Sequence, residues 1–225
     1  MIQHLGIIMD GNRRWAKREG KLTFFGHKAG FDNAVKISEL VAQKGIKYLT
    51  LWALSTENLY NREKEELNGI IGLIELLPTL LPIFERNGTQ FQTIGDIQKL
   101  PERTQKILED IKEKTKNNTK TTLIIALVYG GQDEIIRGIK KYIQEGGNGK
   151  NLDTKKFKKY LDSAPYPAPD LIVRTGGTVR HSGFLLYDCD YSEYYFSSKY
   201  WPEFDEEELD RAIDFFESTK RNFGK

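Results

Sequence analysis

Hydrophobic residues along the chain form two kinds of segment. Short, nearly continuous apolar runs predict strands, and they occur at residues 5–9, 46–54, 89–94, 122–129, 171–174 and 184–187. Between them, apolar residues recur at helical spacing, at residues 12–20, 28–44, 63–86, 101–116, 133–144 and 206–223. Asp153 is a suitable N-cap for a further short helix that ends near residue 161. Strands that alternate with helices of this length predict an α/β fold with a mainly parallel central sheet flanked by helices.

The composition fits one folded domain over residues 1–225, because 39% of the residues are hydrophobic and 29% are charged. The net charge of +2 gives no strong field that would attract nucleic acid, so any anion must be bound by locally grouped basic residues. Cys189 is the single cysteine and cannot form a disulfide within the chain. This isolation, and the lack of a basic N-terminal segment followed by an apolar stretch, predict a cytoplasmic protein.

Three polar segments directly follow predicted strands. They are Asp10-Gly11-Asn12-Arg13-Arg14, Ser55-Thr56-Glu57-Asn58 and Arg174-Thr175-Gly176-Gly177. In open parallel sheets, ligands bind outside the carboxyl ends of the strands. We therefore expect the three segments to meet at one edge of the sheet and to form the functional site there.

The first polar segment has the features of a phosphate site. Gly11 lets the backbone approach a ligand closely, and the helix that follows presents free N–H groups and the positive end of its dipole. Arg13 and Arg14 add fork-shaped donors for phosphate oxygens. The alternative is that Asp10 and Asn12 simply cap the helix and that both arginines are solvated. The two companion segments at the same edge favour the phosphate site.

Residues near the second segment extend this hypothesis. His27 lies at the start of a helix, where it either caps and packs or donates to a phosphate. Arg62 is a candidate for a second phosphate clamp. Ser55 or Thr56 would also serve as a helix cap, and the acidic run at residues 63–66 is expected to be a mostly solvated first helical turn.

The third segment continues into Thr178-Val179-Arg180-His181-Ser182. Arg174 and Arg180 flank a Gly-Gly loop that is expected to expose backbone N–H groups, as in an anion-binding nest. A surface loop with scattered charge is the alternative. Glu193 follows in an aromatic stretch, where it is either a surface residue or a partner of Asp10 in binding Mg²⁺.

Several common cofactor and nucleotide motifs are absent from the sequence. It contains no Gly-x-x-x-x-Gly-Lys-Ser/Thr loop, no Gly-x-Gly-x-x-Gly after the first strand, no zinc-type Cys/His spacing, no Gly-x-Ser-x-Gly elbow and no Asp-Asp-x-x-Asp run. These absences argue against a P-loop kinase or ATPase, a nicotinamide enzyme, a zinc protein and an α/β-hydrolase.

The segment at residues 67–84 is apolar on nearly every face of its predicted helix. Pro78 is expected to kink this helix and Pro82 to loosen its end. The segment is either a core or dimer-contact helix, or the wall of a hydrophobic tunnel, where a long hydrocarbon would gain about 0.8 kcal/mol per buried CH₂. Asn68 and Glu75 interrupt the run and argue against a membrane span.

Five segments together closely resemble the cis-prenyltransferases, specifically the bacterial undecaprenyl diphosphate synthase group. They are residues 4–20, 26–30, 48–67, 170–184 and 191–204. The resemblance implies a Mg²⁺-dependent homodimer that adds isopentenyl diphosphate units to an allylic diphosphate, usually farnesyl diphosphate, with Z geometry. The implied product is undecaprenyl diphosphate, a lipid carrier precursor for cell-wall synthesis. Because this product is so apolar, a cytoplasmic enzyme is also expected to contact the inner face of the membrane peripherally.

The resemblance also implies a role for each matching residue. The metal-binding carboxylates match Asp10, the essential one, and Glu193. Residues that match the allylic diphosphate-binding stretch are Gly11, Asn12, Arg13, Arg14 and Trp15. His27 matches the family's phosphate-contacting histidine, and Arg62 matches a further arginine, with one extra residue before it. Residues that match a substrate-binding turn are Ser55, Thr56 and Glu57. Residues that match the isopentenyl diphosphate site are Arg174, Arg180, His181 and Ser182.

Asn58 matches the residue often assigned as the proton acceptor in this family. A neutral amide is a poor base near pH 7, so we expect Asn58 instead to position the water or phosphate oxygen that takes the proton. The chain departs from the family pattern at five positions, namely Arg13, Thr23, Thr178, Gly183 and Asn222. None of these departures removes a charge that the implied chemistry requires.

Three alternative functions use the same residues. A non-catalytic subunit would support a prenyltransferase partner, although the intact set of Asp10, Asn58, Arg174 and Glu193 argues against it. A Mg²⁺-dependent phosphohydrolase would use the same carboxylates and arginines. A binding protein for prenyl diphosphates would show affinity without turnover.

Overall fold

The computed structural model describes residues 1–220. Within them, six strands form one sheet: β1 (His4–Ile8), β2 (Tyr48–Ser55), β3 (Thr89–Ile94), β4 (Thr121–Tyr129), β5 (Leu171–Arg174) and β6 (Glu193–Phe196). Their order across the sheet is β3-β4-β2-β1-β5-β6, and every neighbouring pair is parallel. The predicted α/β fold with a parallel central sheet is therefore confirmed.

The described helices connect these strands. They are α1 (Asn12–Arg18), α2 (Thr23–Gln43), α3 (Thr56–Asn61), α4 (Lys64–Ile74), α5 (Leu81–Asn87), α6 (Glu102–Thr115), α7 (Gly131–Gln144), α8 (Thr154–Lys158) and α9 (Glu206–Ser218). Short 3₁₀ turns lie at Leu77–Leu80, Ile97–Lys99 and Trp201–Glu203. As predicted, Asp153 caps α8, because its side chain accepts a hydrogen bond from the backbone N–H of Lys156.

Side chains of β4 alternate between two hydrophobic layers, as the two-residue repeat of a strand requires. Leu123 and Leu127 pack in a layer with α2, α4, α5, α6 and α9. Ile124 and Ala126 pack in the opposite layer, with Phe184 and its neighbours. All nine residues of β4 are buried, and this explains why its sequence is apolar without alternation.

The predicted strand at residues 184–187 is wrong, since the structure has turns there. Ser182 and Leu185 have φ angles of 51° and 46°, which an extended strand does not contain. Phe184 is nonetheless fully buried and stacks on Trp52 with ring centroids 5.2 Å apart. The apolar run therefore comes from burial of a turn, and the last described strand is β6.

The predicted helix at residues 63–86 is divided into α4 and α5 by the 3₁₀ turn at Leu77–Leu80. The division follows from Pro78 and Pro82, which lie at the starts of the turn and of α5. By length and composition, residues 64–87 would suffice to cross a membrane, and 28% of the most apolar window is buried. However, α4 has 11 residues and α5 has 7, whereas a continuous span needs about 20.

Smaller differences concern the ends of helices. Helix α2 starts at Thr23 rather than residue 28, and α3 was not predicted. Helix α9 ends at Ser218, and residues 221–223 of its predicted extent lie outside the described residues.

His4 is a buried polar residue that couples the fold to pH. Its Nδ1 donates to the Pro167 carbonyl at 2.7 Å, and its Nε2 accepts from the Thr50 hydroxyl at 2.8 Å. This arrangement is that of the neutral imidazole, which burial favours by lowering the pKa of His4 from 6.5 to about 4.

We expect the free energy of unfolding to fall as pH drops through the window between 6.5 and about 4. In that window the unfolded chain binds a proton at His4 that the folded chain excludes, which costs about 3 kcal/mol over the whole shift. Urea unfolding from about pH 7.5 to about pH 4.5 measures this loss. A His4→Gln variant should show a shallower pH slope, and equal slopes in the two proteins would contradict the assignment.

Candidate active site

The three polar segments meet at one edge of the sheet. Strands β2, β1 and β5 are neighbours, and Ile8 near the end of β1 lies opposite Trp52 and Arg174. Because all three strands are parallel, their carboxyl ends point the same way and their following loops converge. The structure thus brings Asp10, Ser55 and Arg174 to one site.

Asp10 and Arg174 form the centre of this site. Arg174 Nη2 donates to Asp10 Oδ2 at 3.0 Å, and its Nη1 donates to the Ser182 hydroxyl at 2.7 Å and to the Arg180 carbonyl at 2.6 Å. Arg174 is buried, whereas the Asp10 side chain keeps 34% of its surface exposed. Arg14 Nη2 lies 3.5 Å from Asp10 Oδ1. One accessible carboxylate is therefore held between two guanidinium groups.

The start of α1 is not capped by the side chains that the sequence offered. The N-cap position is Gly11, with a φ angle of 111°, and no side chain caps the helix. A Cβ atom on Gly11 would lie 2.8 Å from Tyr200, so this close approach requires glycine. The Asn12 carbonyl oxygen Oδ1 is buried without a hydrogen-bond partner in the described structure. The alternative of simple capping by Asp10 and Asn12 is therefore wrong.

A second cluster is built around Glu66, and the sequence interpretation missed it. Glu66 Oε1 lies 2.8 Å from His27 Nε2 and 2.7 Å from Arg62 Nη1, which donates to it, and 3.9 Å from Arg13 Nε. Its side chain is 12% exposed, so the expectation of a solvated residue is wrong here. The sequence did contain one signal for this contact, because Glu66 follows Arg62 by four residues, the spacing at which opposite charges pair along a helix.

The ionisation states of this cluster follow from its packing. Burial lowers the pKa of His27, which outweighs the hydrogen bond to Glu66. Burial opposes the ionisation of Glu66, but the hydrogen bond with His27 and the charges of Arg62 and Arg13 together lower its pKa. A neutral His27 beside an ionised Glu66 is therefore expected near pH 7.

Replacing Glu66 with glutamine should misplace His27 and Arg62, because the substitution removes the charge that both contact. We expect kcat/KM for the allylic diphosphate that the family resemblance implies to fall by roughly 10- to 100-fold, as for the loss of hydrogen bonds to a charged group. Steady-state kinetics measure this effect. Glu65→Gln is the matched control, since Glu65 is exposed on the same helix, and an equal effect in both variants would refute the role of Glu66.

The loop after β5 differs from the predicted anion nest. The N–H groups of Gly176 and Gly177 donate to the carbonyls of Lys199 and Ser197, at 2.7 and 2.8 Å, so they do not face a ligand. The φ angles of 85° and 71° at these glycines shape the loop instead. Gly176 and Gly177 therefore offer no free N–H to an anion, whereas Arg180, His181 and Ser182 are exposed next to Arg174 and can bind one through their side chains.

Glu193 does not join Asp10 within one chain. In the parallel β5–β6 pair, Glu193 lies opposite Leu171, whereas Phe196 lies opposite Arg174. A strand rises about 3.3 Å per residue, and Glu193 precedes Phe196 by three residues. Glu193 therefore lies about 10 Å from the level of Arg174, towards the amino ends of the strands. The hypothesis that Asp10 and Glu193 share one metal ion is therefore wrong for a single chain, because the register places them at opposite ends of the sheet.

The second segment forms a helical turn beside the site. The Ser55 hydroxyl caps α3 by accepting from the N–H of Asn58 at 3.1 Å, and the Thr56 hydroxyl donates to the Val128 carbonyl at 3.3 Å. Ser55, Glu57 and Asn58 line the cavity at the site, whereas Thr56 lies outside its lining and has a structural role. Trp15 lies outside that lining and packs under Lys21, whose Nζ is 4.7 Å from the ring centroid.

A cavity of about 710 Å³ begins at this edge. Its polar lining includes Asp10, Asn12, Arg13, His27, Arg62, Arg174, Arg180 and Ser182. Its apolar lining includes Ile70, Leu73, Ile74, Leu77, Phe84, Leu123 and Ile125. Leu123 lies near the amino end of β4, so the cavity extends along the strands away from the polar edge. The shape suits a ligand with an anionic head and a long apolar tail.

Sequence comparison identifies relatives over the whole chain. The family model described as "Putative undecaprenyl diphosphate synthase" matches residues 8–224. An isoprenyl transferase of Clostridium perfringens is 42% identical over 100% of this chain and 90% of its own length. The ditrans,polycis-undecaprenyl-diphosphate synthase ((2E,6E)-farnesyl-diphosphate specific) of Micrococcus luteus is 40% identical over 99% of this chain and 91% of its own length.

Structural comparison agrees with the sequence relatives. The crystal structure of lavandulyl diphosphate synthase from Lavandula x intermedia, in complex with dimethylallyl diphosphate, matches with a TM-score of 0.94 and 32% identity. The match covers 100% of this chain and 98% of the other. The resemblance seen in the sequence motifs is thus confirmed, and the chain belongs to the undecaprenyl diphosphate synthase family of prenyltransferases.

Proposed function

We propose that this protein is a cis-prenyltransferase that condenses isopentenyl diphosphate units onto farnesyl diphosphate with Z geometry. The product is a long polyprenyl diphosphate, namely undecaprenyl diphosphate, a lipid carrier precursor for cell-wall synthesis. The observation that carries the proposal is the cavity, which joins arginine and histidine side chains at one end to apolar walls along its length. A relative of this chain is named for the same product and the same primer.

Two groups of residues provide two diphosphate sites. The allylic diphosphate is assigned to the stretch from Gly11 to Trp15, with His27 and Arg62. This assignment is supported by the cavity, whose lining includes Asn12, Arg13, His27 and Arg62. Isopentenyl diphosphate is assigned to Arg174, Arg180, His181 and Ser182, which lie together on the other side of Asp10.

Catalysis rests on positioning and charge stabilisation. The double bond of isopentenyl diphosphate attacks the allylic carbon, the allylic diphosphate leaves, and a proton is lost from the new carbon chain. Arg13 and Arg62 stabilise the charge that develops on the leaving diphosphate. Asn58 lines the cavity and orients the water or phosphate oxygen that accepts the proton, because its neutral amide is a poor base. The lengthened chain then moves along the apolar walls, which form the tunnel.

Mg²⁺ fits the polar end of the cavity. Among residues 1–220, no group of three or more His, Cys, Asp and Glu side chains could hold a metal ion, so oxygens of the substrates or of water would contribute to its shell. Asp10 offers an accessible carboxylate for the ion. This donor set suits Mg²⁺, which prefers one or two carboxylates together with phosphates. When bound, the ion would neutralise diphosphate charge.

The same proposal includes the setting of the enzyme. We infer a cytoplasmic homodimer, as the family resemblance implies. We also infer that it contacts the inner face of the membrane peripherally, because its product is too apolar to diffuse freely through water.

Sizing of labelled products tests the proposed function. Purified protein is incubated with labelled isopentenyl diphosphate, farnesyl diphosphate and Mg²⁺, and the lipid products are separated by chain length. We expect metal-dependent long polyprenyl diphosphates from this chain alone. Phosphate release without a longer lipid would indicate a phosphohydrolase, and substrate binding without turnover would indicate a binding protein or a supporting subunit.

A further inference from the structure

Large apolar side chains lie exposed at the start of α2. The exposed fractions are 75% for Leu22, 48% for Phe24 and 51% for Phe25. The rings of Phe24 and Phe25 contact each other edge to face, with centroids 5.8 Å apart. We call these three residues the rim patch. Contiguous exposed apolar residues of this kind mark a contact surface more often than single exposed ones do.

The local sequence at the rim patch does not favour stability of the isolated chain. Leu22 occupies the N-cap of α2, where no side chain caps the helix and no acidic residue lies in the first turn. Ser, Thr, Asp or Asn would stabilise this position by about 1 kcal/mol. An exposed leucine at a cap position is a departure from local rules of the kind expected at functional surfaces.

The sequence on either side of the rim patch is rich in basic residues. Residues 17–28 contain Lys17, Arg18, Lys21 and Lys28 but a single acidic residue, Glu19. Arg18 pairs with Glu19 and Glu203, and Lys28 pairs with Asp32. Lys21 lies 4.7 Å from the ring centroid of Trp15, and both Lys17 and Lys21 are exposed. Basic and aromatic side chains around an apolar patch are the composition of a membrane-surface contact.

The rim patch adjoins the proposed substrate cavity. The ring of Phe24 lies against Gly69 of α4, the helix whose Ile70 and Leu73 line the cavity. Gly26 follows the patch and packs closely on α1. A Cβ atom on Gly26 would lie 2.2 Å from the backbone carbonyl oxygen of Asn12. His27, the next residue, lines the polar end of the cavity. The patch is therefore fixed to the rim where the two diphosphates are assigned.

We propose that the rim patch rests on an anionic lipid bilayer, with Leu22, Phe24 and Phe25 in the interface and Lys17 and Lys21 on lipid headgroups. The inference rests on the proposed function in one respect, which is that a polyprenyl product needs an apolar destination next to the cavity. Anionic lipid, rather than a protein partner, is the occupant that matches the unbalanced positive charge around the patch.

A second exposed apolar face offers a matched comparison. Ile136 and Ile143 of α7 are 51% and 60% exposed, similar to the rim patch. Helix α7 is tied to the sheet layer opposite the cavity, because Tyr129 of that layer donates to Glu134 at 2.7 Å. The proposal assigns bilayer contact to the rim patch and not to α7.

Vesicle co-sedimentation tests the proposal. Binding of the full chain is measured to phosphatidylcholine vesicles with and without phosphatidylglycerol, for the wild type, Leu22→Ser/Phe25→Ser and Ile136→Ser/Ile143→Ser. Leu22→Ser/Phe25→Ser, the rim variant, should bind anionic vesicles at least about tenfold more weakly than the wild type, because two apolar side chains are removed from the interface. Lys17→Gln/Lys21→Gln should weaken binding to anionic vesicles by about 30-fold and leave binding to neutral vesicles unchanged. The α7 variant should bind like the wild type.

Equal binding by the rim variant and the wild type would overturn the proposal, as would an equal or greater loss in the α7 variant. Turnover in detergent separates this result from the proposed function, because the rim variant should retain the wild-type rate there. An inactive wild type that still binds vesicles through the rim patch would refute the reaction and leave the surface assignment standing.

Discussion

Asp10→Ala should abolish turnover and leave the fold intact. The Asp10 side chain is one-third exposed at the cavity and belongs to no hydrophobic layer, so its removal costs little packing. It does remove the carboxylate that lies between Arg14 and Arg174 and that is assigned to Mg²⁺. We expect kcat to fall by about 10³-fold or more, as for loss of a central electrostatic group. Incorporation of labelled isopentenyl diphosphate measures the rate, and thermal unfolding checks the fold.

Asp32→Ala is the control for this substitution. Asp32 is an exposed carboxylate on α2 that pairs with Lys28, so its loss should change neither rate nor stability noticeably. Substantial activity in Asp10→Ala would show that the carboxylate is a local structural residue, and the proposed chemistry would then be wrong.

Arg174→Lys should weaken isopentenyl diphosphate binding even though it keeps the positive charge. The guanidinium of Arg174 spans three acceptors, namely Asp10, Ser182 and the carbonyl of Arg180. A single ammonium group cannot hold all three in that geometry. We expect kcat/KM for isopentenyl diphosphate to fall by about 10²-fold, mainly through KM. Titration of each substrate at saturating levels of the other makes this measurement.

Arg211→Lys is the matched control, because Arg211 is an exposed arginine of α9 that pairs with Glu207. An effect of Arg174→Lys on KM for farnesyl diphosphate alone would contradict the assignment of the two diphosphate sites. Wild-type kinetics in Arg174→Lys would show that the fork geometry is not needed.

The parallel sheet and its functional edge were predictable because they depend on strong, local patterns. Apolar runs such as residues 122–129 show the strands, and the rule for parallel sheets then places Asp10 and Arg174 together. Pro78 and Pro82 likewise indicated where the long apolar helix is disturbed, since their missing N–H groups act locally, although a kink was predicted and the structure divides the helix there.

The missed features depend on contacts between distant parts of the chain. Glu66 looks like one acid among several, and its role appears only when α2 brings His27 to it. The N–H groups of Gly176 and Gly177 are occupied by carbonyls of residues 197 and 199, which no local pattern shows. The position of Glu193 depends on strand register, and a turn at residues 184–187 replaces a strand because Phe184 packs on Trp52.

The most direct test of the account is whether one chain binds two diphosphates at once. Equilibrium dialysis of the purified protein with Mg²⁺, labelled isopentenyl diphosphate and an unreactive thio analogue of farnesyl diphosphate makes this measurement. We expect one molecule of each to bind per chain, and isopentenyl diphosphate still to bind when the analogue is saturating. Competition between the two ligands for a single site would contradict this expectation.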